Sequence, residues 1–186
     1  MQRSAKWTLF ALIVVCTLPV VASYITFYFW KPSDTVNYGE LLDPIELPEG
    51  RGEGLAGQPA IDLSAIKGQW TLAYSGEGAC GDSCARSLYA MRQAWLAQGE
   101  EMRRLGRLWL VTDGVEPGAE TLAEQRDLRV ARAVPEWLAV MPQAASHLYL
   151  IDPLGNAMMR FPADPDIKAV IKDLRRLLKY SGLGRQ

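Results

Sequence analysis

Residues 7–30, WTLFALIVVCTLPVVASYITFYFW, contain no charged side chain. An uninterrupted apolar run beyond about 18 residues is long enough to span the hydrocarbon core of a bilayer as a helix. Arg3 and Lys6 precede it with no acid, whereas Asp34, Glu40, Asp43 and Glu46 follow it. The positive-inside bias then leaves residues 1–6 in the cytoplasm and carries everything after the helix across the membrane. Trp7, Tyr24, Phe27, Tyr28, Phe29 and Trp30 stand near the two ends, where amphipathic rings favour the interface. A cleavable signal ending near Val21-Ala22-Ser23 fits less well, because the apolar stretch runs on through Trp30 and exceeds an ordinary signal core. Lipid attachment at Cys16 is disfavoured by the bulky Val15 before it and by the membrane-type sequence after it. Cys16 reads as a buried apolar residue.

The rest of the 186-residue chain has room for one compact domain and not for two. With 20 basic and 21 acidic residues the net charge is -1, and a nucleic-acid binder would show a basic stripe instead. Of three cysteines, only Cys80 and Cys84 are available to water. One local pair is a redox or metal signature and not a disulfide-stapled scaffold. His147 is the single histidine, which rules out a histidine-rich metal site.

Residues 31–54 are rich in proline, glycine and acids and read as tether and irregular loop; the domain is expected over 55–186. Residues 62–68 suggest a short helical turn closed by Gly68. A short strand is expected at 70–74, then a helix from Cys80 or Asp82 to about Arg103 with Cys84, Leu88, Met91 and Trp95 on its buried face. A second strand at 108–111 exits through Thr112-Asp113-Gly114. Helix is expected over 119–126, while 129–134 and 137–141 are ambiguous. Strands at 147–151 and 157–161 flank the turn Asp152-Pro153-Leu154-Gly155. The last helix is expected to open with Asp164 as N-cap and Pro165 at its first position. Its cations Lys172, Arg175, Arg176 and Lys179 read first as a solvated face and second as a contact for anionic lipid. Strand, helix, strand, helix, hairpin and final helix make an α/β sandwich of thioredoxin type, with the first helix starting at a strand's carboxyl end, where such sheets place their sites.

The segment Tyr74-Ser75-Gly76-Glu77-Gly78-Ala79-Cys80-Gly81-Asp82-Ser83-Cys84 concentrates the chemistry. Gly76, Gly78 and Gly81 permit close approach of the backbone to a partner or ion. A helix N-terminus favours thiolate over thiol, although Glu77 and Asp82 oppose it. A four-residue spacing puts both sulfurs on one side of the first turn, within disulfide range. The pair then either cycles between dithiol and disulfide, holds a soft ion, or stays oxidised and pins the loop. By analogy with dithiol oxidoreductases, Cys80 is the attacking and Cys84 the resolving sulfur.

The stretch Gly68-Gln69-Trp70-Thr71-Leu72-Ala73-Tyr74-Ser75-Gly76 with Cys80-Gly81-Asp82-Ser83-Cys84 resembles the Sco/SenC family of cytochrome c oxidase assembly proteins. That family carries a C-x-x-x-C motif after a strand, commonly with aspartate at its centre, as Asp82 is here. The likeness continues through Leu108-Trp109-Leu110-Val111-Thr112-Asp113 and Tyr149-Leu150-Ile151-Asp152-Pro153-Leu154-Gly155-Asn156, and takes in the single N-terminal anchor. A thioredoxin would have C-x-x-C, and a proline at the position of Ser146. The resemblance implies a protein that binds copper through two cysteines and a histidine, or reduces the cysteines of the oxidase copper centre. Two features depart from the pattern. The prolines flanking the family's cysteines are replaced by Gly81 and Ala85, and the family's histidine falls at Ala144. His147, three residues on, would need the chain to bulge by roughly 10 Å to replace it, so it is expected to be structural or partner-facing before it is a copper ligand.

The expected function is assembly of a respiratory oxidase, by thiol-disulfide exchange or by holding Cu(I) between Cys80 and Cys84. The expected partner is an oxidase subunit or one of its assembly factors. The alternatives are a docking module with structural cysteines and a general extracytoplasmic thiol oxidoreductase or peroxidase.

Overall fold

The computed structural model describes residues 2–29, 37–145 and 147–184. Trp30, Pro32, Asp34 and Ser146 lie outside them. The chain divides into two compact units, Met1–Val36 and Asn37–Gln186.

The described residues of the first unit form one helix, α1 (Gln2–Phe29), with Pro19 inside it. Its stretch Ala5–Tyr28 is long and apolar enough to cross a membrane, and its described side chains are exposed. The hydroxyls of Thr17 and Thr26 donate back to the carbonyls of Ile13 and Ala22, each at 2.8 Å. A hydrocarbon environment demands such internal satisfaction of polar groups.

The second unit is a six-stranded mixed sheet between two helical layers. Its strands are β1 (Glu40–Glu46), β4 (Trp70–Gly76), β5 (Leu105–Val111), β6 (Leu128–Arg132), β7 (Leu148–Ile151) and β8 (Asn156–Phe161), in the spatial order β1-β8-β7-β4-β5-β6. The two-residue strands β2 (Arg51–Gly52) and β3 (Ile61–Asp62) pair separately. β4, β5 and β6 run parallel, while β7, β8 and β1 are antiparallel to their neighbours. The central parallel strands β4 and β5 are buried on both faces along nearly their whole length, whereas the edge strand β6 exposes Arg129 and Arg132.

Side chains alternate across the pleat. Leu72, Tyr74, Trp109 and Val130 face α3 (Asp82–Leu96) and α6 (Ile167–Tyr180), whose Leu88, Met91, Val170 and Leu174 complete that core. Ala73, Leu108, Leu110 and Tyr149 face the other layer, with Ile66 of α2 (Leu63–Ile66) and Trp137 of α5 (Pro135–Val140). The short α4 (Ala119–Ala123) precedes β6. This is the expected thioredoxin-like sandwich.

Three local expectations are corrected. Residues 31–54, expected as tether and loop, contain β1, and the folded unit begins at Asn37. Pro44 and the surrounding acids hide the strand, yet an edge strand tolerates a proline because one row of its N–H groups needs no partner. The pairing of β1 with β8 shifts register between Leu41 and Ile45. The helix expected to reach Arg103 stops at Leu96; Gly99, at φ +61°, turns the chain into a 3₁₀ segment, Gly99–Arg104. Asp166, not Asp164, caps α6, its carboxylate accepting from the N–H groups of Lys168 (2.9 Å) and Ala169 (3.4 Å). Asp164 stands instead at the surface, 3.7 Å from Arg86.

Candidate thiol-disulfide site

β4 ends at Gly76, and the loop 77–81 carries the chain into α3 at the carboxyl end of the parallel strands. Gly76 lies opposite Val111 in the ladder, and its carbonyl accepts from the N–H of Thr112 at 3.0 Å. One residue further, Asp113 Oδ1 accepts from the backbone N–H of Gly78 (2.9 Å) and of Val115 (3.1 Å). These bonds, that to Gly78 first, hold the Asp113 carboxyl below its ordinary range. The exit turn of β5 thus anchors the loop that presents the cysteines.

Two glycines are fixed by crowding within the protein, not by an incoming partner. A Cβ on Gly78 would lie 1.9 Å from the carbonyl oxygen of Val115, and one on Gly76 would lie 2.5 Å from the Tyr74 hydroxyl. Gly81, by contrast, has nothing within 4 Å of its Cβ direction, so the approach beside the cysteines is open.

Cys80 and Cys84 are joined in a disulfide, with Cα atoms 5.0 Å apart. Only Cys84 is helical. Cys80 precedes the N-cap, Gly81, and takes the left-handed conformation at φ +45°, which an L-residue adopts at a cost of about 1–2 kcal/mol. Cys84 is 5% exposed and packs in the core with Leu88 and Met91, while Cys80 is half-buried at its edge. Gly81 offers no side-chain cap to α3, so the first-turn N–H groups direct positive potential at the sulfurs. Asp82 sits in that same turn and opposes it.

Beside the pair lies an open cleft of about 400 Å³ whose lining includes Ser75, Glu77, Gly81, Asp82, Cys84 and Thr112. Tyr74 forms part of its wall, and burial pushes its phenol above the ordinary range. The opposite wall is Ala145, which bridges Ser75, while the Ser75 hydroxyl donates to the carbonyl of Ala144. The position expected for a third ligand therefore holds a buried alanine whose carbonyl is already used.

His147 is placed just before β7, with Nδ1 3.1 Å from the carbonyl oxygen of Gln143. Among the described residues, no three His, Cys, Asp or Glu side chains gather into a group able to hold a metal. The structure brings Cys80 and Cys84 together and does not bring His147 to them as a third donor. A two-cysteine, one-histidine copper site does not fit these residues; the donors present are two sulfurs. Asp113 and Ser75 were not singled out from the sequence for this site. The signal for Asp113 was its place at the carboxyl end of a strand parallel to the one before the cysteines.

Among solved structures, apo Sco1 from Thermus thermophilus is similar, with a TM-score of 0.62 at 18% identity over 79% of this chain and 99% of that one. Copper-bound yeast Sco1 gives 0.61 at 17% identity, covering 75% and 96%. BsSco, a member of the Sco family of cytochrome c oxidase assembly proteins described with a disulfide switch, gives 0.55 at 13% identity, covering 80% of this chain and 98% of that one. At these identities the likeness is one of fold. No curated protein sequence matches the chain. The family model for a transmembrane-like, thioredoxin-like C-terminal domain matches residues 70–181, from β4 to the end of α6, and the chain belongs to that family.

Proposed function

We propose that this chain is a membrane-anchored, extracytoplasmic thiol-disulfide exchange protein that serves assembly of a cytochrome c oxidase, with Cys80 attacking and Cys84 resolving. One observation carries the reading: a joined pair of sulfurs at a helix N-terminus, with Cys80 half-buried at the edge of the core and Cys84 packed in the core where it lines an open cleft. The Sco proteins of similar fold support the assembly role. α1, with its flanking charges, supports the anchor and its orientation.

In the reduced state the Cys80 thiolate attacks one sulfur of a partner disulfide, forming a mixed disulfide and releasing the partner's first thiolate. The Cys84 thiolate then attacks Cys80 Sγ, closing the disulfide and releasing the second. Two electrons pass to the partner, and the two protons lost by Cys80 and Cys84 end on its thiols. A compartmental dithiol returns the pair to the reduced form.

The test is to equilibrate the full chain with dithiol redox buffers and count alkylatable cysteines, then to trap a mixed disulfide with Cys84→Ser. A reversible two-electron couple and a trapped adduct through Cys80 are expected. A pair that resists reduction in the folded protein, or no adduct, overturns the proposal. A second reading, Cu(I) held between two thiolates, rests on the two soft donors at 5.0 Å Cα separation. It predicts that the reduced chain takes up one Cu(I) and that Cys80→Ser abolishes it.

A further inference from the structure

α6 exposes Lys168, Lys172, Arg175, Arg176 and Lys179. Lys168, Lys172, Arg175 and Lys179 recur at spacings of four, three and four, so they form one stripe, with Arg176 beside it. The helix has a single acid, Asp173, and it is turned inward, 5% exposed and accepting the N–H of Gly39 at 2.8 Å. The helix packed against α6, α3, adds Arg92 and Arg86, the latter 3.7 Å from Asp164, and one acid of its own, Asp82, at its start. In a chain of net charge -1, this is a strongly one-sided face. It ends in Tyr180, 76% exposed, and Leu183, 42% exposed: an aromatic and an apolar side chain beside cations, the composition of an interfacial surface.

What covers the face follows from how the chain reaches it. α1 ends at Phe29 and the folded unit begins at Asn37; the eight peptide steps between them extend to at most about 30 Å. A unit of this size is itself roughly 40 Å across. The first residues of the unit are bonded to α6: Gly39 to Asp173, and the Tyr38 hydroxyl, which accepts the N–H of Asp166 at 2.9 Å. The first residues of the folded unit are therefore held against the basic helix.

We propose that the exposed face of α6 binds the phosphate headgroups of anionic lipid in the membrane that holds α1. This rests on the anchor in the function proposed above and adds a docked state of the domain. The surface potential of such a membrane attracts basic segments held within a Debye length of it, and salt releases them.

The test uses the full chain, ¹⁵N-labelled, in nanodiscs of phosphatidylcholine with or without phosphatidylglycerol, each doped with a gadolinium-chelating lipid. Amides of α6 are expected to broaden more than those of α5, to do so only with phosphatidylglycerol, and to recover in about 0.5 M salt. Lys168→Gln/Lys172→Gln/Arg176→Gln replaces exposed side chains and leaves the fold intact; each lost charge lowers occupancy of the surface about fivefold, and the three together on the order of a hundredfold. Broadening of α6 equal to that of α5, or indifferent to phosphatidylglycerol and to the triple substitution, overturns the proposal. Amides of α1 report separately: broadened α1 with unbroadened α6 removes only the docking, whereas unbroadened α1 removes the anchor as well.

Discussion

Reducing the Cys80–Cys84 bond is expected to leave the stability of the folded unit nearly unchanged. The bridge spans a sequence separation of only 4, and a loop that short restrains the unfolded chain little: loop-closure entropy assigns it about 2 kcal/mol. Against this stands the left-handed conformation of Cys80, at φ +45°, which holds about 1–2 kcal/mol that the reduced loop is able to release. The difference is about 0–1 kcal/mol. For a unit of about 150 residues that corresponds to a fall in Tm of no more than about 4 °C. Thermal unfolding of the full chain in detergent, followed by circular dichroism with and without reductant and for Cys80→Ser/Cys84→Ser, measures it. A fall beyond about 12 °C, equivalent to roughly 3 kcal/mol or more, would refute the reasoning and make the bridge a structural staple.

Gly78→Ala places a Cβ 1.9 Å from the Val115 carbonyl oxygen and 3.1 Å from Val111 Cγ1; a destabilisation of about 1–3 kcal/mol and slower disulfide exchange are expected, read by denaturant unfolding and alkylation rate. Asp113 titrates below its unfolded value of 3.8, so its contribution to holding the loop is complete above that pH and disappears as pH falls through the lower folded value. Asp113→Asn should therefore flatten the acid limb of loop protection in hydrogen exchange at Gly78, and an unchanged limb would count against the anchor. Asp173→Ala leaves the buried N–H of Gly39 without its acceptor and is expected to lose about 1.5–3 kcal/mol, with proteolytic sensitivity rising at the start of β1; unchanged stability and unchanged cleavage would show that Asp173 does not pin the chain there.

Elements whose partners are near in sequence were legible in advance. The Cys84, Leu88, Met91 and Trp95 stripe marked α3, and Asp62 with Gly68 bracketed α2, where Asp62 does accept from Ala65 N–H at 3.0 Å and Gly68 takes φ +89°. β1 was not legible, because its stability comes from β8, more than a hundred residues away, and its own composition is that of a loop. The cap of α6 was missed by two residues because Asp164 and Asp166 carry the same local signal around Pro165, and only the backbone path decides which carboxylate meets the orphan N–H groups. At the site, the cysteines announced themselves by spacing. Asp113 did not, since its bond to Gly78 links residues 35 positions apart.

By itself the amino-acid sequence determined the apolar N-terminal helix, the α/β order and the closeness of two cysteines four residues apart, because each follows from periodicity or covalent reach along a short stretch of chain. Only the tertiary structure decided that Asp113 anchors the loop before the cysteines, that the Ser75 hydroxyl meets the carbonyl of Ala144, and that the folded unit starts at Asn37 with Tyr38 and Gly39 bonded to the α6 region. Those outcomes depend on which distant backbones come into contact, and local chemistry holds no record of that.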